Sequence, residues 1–260
     1  MNDIMIIIKS EQEIQLMRES GEVTGYILRE LEDFIKPGIS TKDINDHVEH
    51  IITSHGMTPT FKGYQGYPAA VCASINEEVV HGIPDAKRIL QEGDIISVDI
   101  GSTHKGYVSD AARTYGVGKI SEENQHLIDT AKAGFFAALE FCKPGYRLSD
   151  IGHAVQTTVE AEGYGVVRDL VGHGVGSQMH EDPQIPNYGR PGRGPRIAAG
   201  MVFAIEPMIT MGTYQVVTLK DGWTVVTLDR KPAAHYENTV VITEGEPELL
   251  TLYSEEKYHG

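Results

Sequence analysis

Asp99, Asp110, His173, Glu206 and Glu237 place four carboxylates and one imidazole in stretches that otherwise read as core. Ile95-Ile96-Ser97-Val98 leads into Asp99, Val202-Phe203-Ala204-Ile205 leads into Glu206, and Thr239-Val240-Val241-Ile242 follows Glu237. Charges left unpaired in such surroundings are costly. Arginine and lysine are sparse nearby, so divalent cations are the simplest compensation. Asp99 and Asp110 lie equally far from the midpoint of a hairpin expected between His104 and Lys105, which would set them directly opposite each other. Facing carboxylates repel unless a cation or proton lies between them. Glu206 precedes Pro207, which holds it extended at a strand end, and His173 stands among Gly172, Gly174 and Gly176, where backbone or ligand can approach closely. Taken singly, each has an ordinary reading: carboxylates on opposite faces, a solvated strand-end glutamate, a structural loop histidine. His81 and His180 carry the same ambiguity. The other eight histidines, such as His47, His50 and His126, are read as solvent-facing.

The elements that must position these groups show a repeat. Sliding the chain by 107 positions brings Lys36-Pro37-Gly38 onto Lys143-Pro144-Gly145, Asp43-Ile44 onto Asp150-Ile151, and Gly56 onto Gly163. Each copy reads as helix, Lys-Pro-Gly break, second helix and glycine stop. Ser10 and Glu13 form a capping box for the first helix, whose apolar stripe is Ile14, Met17, Ile27, Leu28, Leu31 and Phe34. The same offset aligns Gly93 with Gly200 and Asp99 with Glu206, so each half contributes a carboxylate at an equivalent place. Between Gly163 and Gly200 the glycine-rich stretch has no recognisable twin. A hairpin of roughly 215–219 and 223–228 around Asp221-Gly222 reads as an addition to the second half.

Size and charge set further bounds. A chain of 260 residues can bury a substantial core, and a net charge of −15 argues against a general nucleic-acid binder. Cys72 and Cys142 give neither a disulfide framework nor a zinc signature, which fits a reducing cytoplasm. Ile4-Met-Ile-Ile-Ile8 is too short to span a bilayer and is expected to pack in the core as a strand or helix lead-in; no membrane partner is expected.

Together, Ser74-Ile-Asn-Glu-Glu-Val-Val-His81-Gly-Ile-Pro84, Gly172-His173-Gly-Val-Gly176, Ile205-Glu206-Pro207-Met208 and Asp221-Gly222-Trp223, with the five ordered ligand positions, resemble the type I methionine aminopeptidases. The resemblance runs from the first helix to about Leu250. It implies an α+β, pita-bread fold: two pseudo-symmetric α/β halves, roughly 1–120 and 121–260, around a curved antiparallel sheet with helices outside, in a single catalytic domain, 1–260. It also implies roles. Asp99 would be a bidentate ligand of one ion, His173 and Glu206 would hold the other, and Asp110 and Glu237 would bridge them. Glu206 would also move the proton from water to the departing amine, His180 would steady the oxyanion, and His81 would contact the scissile amide. The methionine slot would be lined by Phe61, Tyr64, Tyr67, Cys72, Met179 and Trp223, together with His81 and His180. Many relatives carry cysteine at Phe61 and an aromatic residue at Met179, so pocket shape is where this chain departs.

The implied activity is removal of initiator methionine from nascent polypeptides whose second residue is small. Alternatives are a proline-directed aminopeptidase of the same fold and a non-catalytic ribosome-associated protein, although such binders tend to lose ligands that are all present here. Only 26 positions separate His180 from Glu206, too few for the insertion of type II relatives. Two divalent ions are expected, and an oxygen-rich set with one imidazole and no thiolate suits Co, Mn or Fe(II). The loop Arg190-Pro-Gly-Arg193-Gly-Pro-Arg196 offers a transient ribosome contact or a solvated turn; no specific nucleic-acid site is expected.

Overall fold

The computed structural model describes residues 5–253. Helix α1, Glu11–Phe34, starts at Ser10, whose hydroxyl accepts from the Glu13 amide while the Glu13 carboxylate accepts from the Ser10 amide at 2.7 Å. The expected stripe is buried from Ile14 to Leu31, with Phe34 only partly covered. Its middle is small and polar for a reason the stripe does not reveal. Ser20 and Thr24 bond the hydroxyls of Ser102 and Ser109 in the central hairpin, while Gly21 and Gly25 let the backbone at Leu250 and Thr251 cross the helix.

Helix α2, Thr41–Ser54, and helix α4, Leu148–Ala161, correspond residue for residue at the offset of 107. In both, the third helical residue, Asp43 or Asp150, accepts from the N-cap amide, at 2.7 and 2.8 Å. The break and stop glycines all take left-handed φ, +95° and +104° at Gly38 and Gly145, +70° and +82° at Gly56 and Gly163. That conformation favours glycine and explains why the repeat is legible there. Helix α3, Glu122–Leu139, capped by Ser121, covers the second half as α1 covers the first. Each helix pair roofs its own apolar core, one around Ile27, Leu31, Ile44 and Ile96, the other around Phe135, Ile151, Phe203 and Ile205.

Strands Ile95–His104 and Tyr107–Gly116 form the central hairpin, but its register differs from the expected one. Asp99 pairs with Ala112, and Asp110 with Gly101. The turn is Lys105-Gly106, both at positive φ, because a two-residue hairpin needs left-handed residues and Gly106 supplies one. Partners therefore shift by two residues, which preserves side-chain parity: Asp99 and Asp110 are diagonal neighbours on one face rather than directly opposed.

In the second half, Val202–Ile205 pairs with Asn238–Val241 on one side and Gly172–Gly174 on the other. The glycine-rich stretch does have a twin: Val71–Ile75 flanks the central hairpin as Gly172–Gly174 flanks Val202–Ile205, with Ser74 opposite Ser97 as His173 is opposite Ala204. The halves meet along an antiparallel seam. Ala112 and Glu237 exchange backbone bonds, Thr239 bonds both backbone groups of Asp110, and Thr114 does the same for His235. The hairpin Val216–Thr218 and Val225–Thr227 forms as expected, and its second strand pairs with Glu78–Val80 of the first half.

The N-terminal expectation needs correction. Ile4 lies outside the described residues, Met5, Ile7 and Ile8 are exposed, and Ile6 is partly covered; residues 5–8 form no strand and lead into α1 without packing in the core. Lys9 is the anchor instead. Its ammonium lies 2.5 Å from Glu181, both side chains at most 5 % exposed, and its amide bonds the Gly200 carbonyl. Lys9→Met would leave Glu181 buried and unpaired, a loss of about 3–5 kcal/mol. Thermal unfolding should show Tm lower by about 6–20 °C for a chain this size; an unchanged Tm would show that the pair contributes nothing.

Candidate metal centre and substrate cleft

Every residue singled out from the sequence for the site lines one cleft. Its floor is the carboxylate cluster. Asp99 and Asp110 arrive from the central hairpin, Glu206 follows Val202–Ile205, and Glu237 precedes Asn238–Val241. His173 Nε2 lies 3.7 Å from Asp110 Oδ2 and 3.6 Å from Glu206 Oε1. Those gaps exceed hydrogen-bond range, yet they suit two ligands of a common ion. The Nδ1 of His173 is 2.9 Å from the Gly174 carbonyl, so Nδ1–H donates there and Nε2 keeps its lone pair.

Electrostatics make the cluster unstable as bare anions. Burial first, then like-charged neighbours, push the carboxyls of Asp99, Glu206 and Glu237 well above the usual carboxylate range. Asp110 rises to about 7, again through burial. Burial lowers His173 to about 3, and His81 and His180 are lowered by the same cause. Three buried carboxylate oxygens, one each on Asp99, Asp110 and Glu237, have no hydrogen-bond partner. A hard, oxygen-preferring cation fits such a donor set, and each of two groups, Asp110/His173/Glu237 and Asp99/His235/Glu237, brings its ligand atoms within 4.8 Å of one another.

His235 is the residue that sequence reasoning missed. Read as solvent-facing, it is 1 % exposed and lies behind the carboxylates, its Nε2 3.7 Å from both Glu206 Oε2 and Glu237 Oε2. A signal existed, since residues two apart in an extended segment share a face and Glu237 was already a candidate.

Above the floor, Phe61, Tyr67, Cys72, Met179 and Trp223 form an apolar slot. Phe61 packs where a side chain on Gly101 would collide, and Tyr67 meets the edge of Trp223 at 5.1 Å. Asp221 accepts from the amides of Trp223 and Thr224, fixing the turn that presents the indole. Tyr64 does more than line the wall: its hydroxyl is 2.8 Å from His180 Nδ1. His81, with φ of +61°, faces Trp223 edge to face.

A family model for metallopeptidase family M24 matches residues 15–244. The chain belongs to that family. It is 56 % identical over 248 residues to a methionine aminopeptidase of Clostridium acetobutylicum, covering 95 % of this chain and 99 % of that one. A methionine aminopeptidase of Clostridium perfringens is 53 % identical over the same shares. Among solved structures, a methionine aminopeptidase from Thermotoga maritima matches with TM-score 0.94 and 46 % identity, over 95 % of this chain and all of that one. The α+β, pita-bread architecture expected from the motifs is therefore the fold of this M24 member.

The metal-free protein should reveal its cluster by pH. Raised carboxyls hold protons in the folded chain that the unfolded chain releases, so their stabilisation is lost as pH rises through the folded values, about 7 for Asp110. His173 and His235, both lowered to about 3, act oppositely and cost stability only as pH falls from 6.5 toward 3. His81 and His180, also lowered, add to that opposing slope, which ends only about a unit above the ordinary histidine value of about 6.5. Above about pH 7.5 the carboxyls raised well above the usual range are left to set the slope. Calorimetry on chelated protein should show Tm falling from about pH 7.5 to 8.5, and saturating divalent ions should flatten that fall; a rise over the same interval would contradict the electrostatics.

Proposed function

We propose that this chain removes methionine from the N-terminus of nascent polypeptides whose second residue is small. The observation that carries the reading is convergence: a carboxylate–imidazole cluster at the floor of a cleft whose wall is an apolar slot suited to a flexible thioether. The full-length likeness to methionine aminopeptidases supports it. Asp99, Asp110, His173, Glu206 and Glu237 would hold two divalent ions, and the oxygen-rich set favours Co, Mn or Fe(II). When bound, such ions supply Lewis acidity and a water acidic enough to ionise near neutrality.

The chain's own residues would do the rest. Glu206, ionised when cations compensate the cluster, would accept a proton from water and hand it to the departing amine. With the Tyr64 hydroxyl donating to Nδ1, His180 keeps Nε2–H for the developing oxyanion. His81 stands where it can meet the scissile amide, and the slot orients the methionine side chain. One catalytic domain built from both halves carries the whole arrangement.

A cytoplasmic location is proposed on Cys72 and Cys142, both buried free thiols. Among the described residues no helix is long and apolar enough to cross a membrane. Arg190, Arg193 and Arg196 are exposed on a loop pinned to the start of α4 through Ser149 and Asp150, a basic surface suited to a transient ribosome contact. Reversing their charges should weaken ribosome co-sedimentation; unchanged co-sedimentation would dispose of that contact.

The activity itself is tested by comparing kcat/KM on Met-Ala-Ser with that on an Xaa-Pro peptide. Faster cleavage of Met-Ala-Ser is expected; preference for Xaa-Pro would replace this reading with a proline-directed one.

A further inference from the structure

We propose that His235 is a sixth protein ligand of the dinuclear centre, giving the ion held by Asp99 and Glu237 an imidazole of its own. The inference rests on the dinuclear reading above and goes beyond its five-ligand set. Four observations carry it. The side chain is 1 % exposed, and among the described residues neither ring nitrogen has a hydrogen-bond partner. An imidazole buried so fully and left unpaired on both sides is costly unless something else takes its lone pair.

The second observation is spacing. His235 Nε2 is 3.7 Å from Glu206 Oε2 and 3.7 Å from Glu237 Oε2. His173 Nε2 stands in nearly the same relation to its own pair, 3.7 Å from Asp110 and 3.6 Å from Glu206. Two imidazoles thus straddle Glu206 at matched distances, each too far to hydrogen-bond a carboxylate and each placed to share an ion with one. Third, ligand atoms of Asp99, His235 and Glu237 lie within 4.8 Å of one another, as those of Asp110, His173 and Glu237 do.

Fourth, the ring is aimed by rigid backbone. His235 ends the strand Ala233–His235, pairs with Met208 across the sheet, and has both backbone groups bonded to the Thr114 hydroxyl at 2.9 Å. The charged neighbour on that side is Arg113, itself buried and bonded to the Glu237 carbonyl and to Asn238. The neutral imidazole is the form that ligates metals. An added nitrogen donor also biases that ion toward Co²⁺ and later metals over Mn²⁺, relative to an all-oxygen site.

The test is to load the metal-free protein with Co²⁺ alone and locate the ions by anomalous diffraction. The expected result is His235 Nε2 at about 2.0–2.3 Å from one of two peaks, the ordinary range for metal–imidazole bonds. Two peaks among Asp99, Asp110, His173, Glu206 and Glu237 with His235 beyond about 3 Å of both would overturn this inference and leave the dinuclear reading standing; no peak there would overturn both. Calorimetric titration of His235→Gln with Co²⁺ adds a solution readout: one of the two ions should bind at least about tenfold more weakly. Affinities for both ions equal to those of the unaltered protein would sink the proposal. The distance in the unaltered protein needs no variant, so it decides the matter even if His235→Gln fails to fold.

Discussion

Asp110→Asn should reduce Met-Ala-Ser hydrolysis below about one-thousandth of the wild-type rate, at or beyond the loss seen when a single preorganised electrostatic group is removed. Yet the metal-free variant should melt higher, not lower. In the chelated protein Asp110 sits among Asp99, Glu206 and Glu237, and each of those carboxyls is raised partly by its presence. An amide keeps the shape, can donate to Asp99, and removes one buried negative charge. The backbone bonds between Asp110 and Thr239 are untouched by the change. Relief of about 1 kcal/mol would raise Tm by about 2–4 °C in a chain of this size. Activity and stability moving in opposite directions is what a site built for cations requires, since its residues oppose one another until the cations arrive. A variant losing both together would mean that Asp110 serves the fold, and the cluster would need another explanation.

His180→Ala should lower kcat by about 10²–10³-fold with little change in KM, because a donor to the oxyanion matters chiefly in the transition state. The ring is open to the cleft, so its removal should leave Tm nearly unchanged. Tyr64→Phe isolates the orientation of that ring. Its hydroxyl meets His180 Nδ1 at 2.8 Å from a short turn in which Gly63, Gln65 and Gly66 all have positive φ. Losing the hydroxyl frees the ring without deleting it, so about a tenfold drop in kcat is expected, within the smaller range for a supporting contact. If Tyr64→Phe instead raised KM with kcat intact, Tyr64 would belong to the slot alone.

Much of this centre could be read from the sequence, and what could not has physical causes. Ser10 with Glu13, and the glycines at 38, 56, 145 and 163, were legible because caps and left-handed turns depend on neighbours a few residues apart. The four carboxylates were legible because charge in an apolar run is conspicuous, and His173 because glycines flank it. The hairpin register was not, because it depends on which two residues can take positive φ, and Lys105 with Gly106 won over His104 with Lys105. The twin of Val71–Ile75 was hidden because the loops leading to Gly172–Gly174 differ in length, so a single offset slides past it. His235 was passed over although it stands two residues from Glu237; the seam, where both its backbone groups bond the Thr114 hydroxyl, buries it. The small residues of α1 were likewise opaque, since nothing local announces that Leu250 and Thr251 will cross there.

The most direct measurement is Met-Ala-Ser hydrolysis by protein stripped with a chelator and then titrated with a single divalent metal. Negligible cleavage without metal, with activity rising over the first one or two equivalents and saturating there, is the result expected of cations held by Asp99, Asp110, His173, Glu206 and Glu237. Full-rate cleavage by the stripped protein in excess chelator would contradict it.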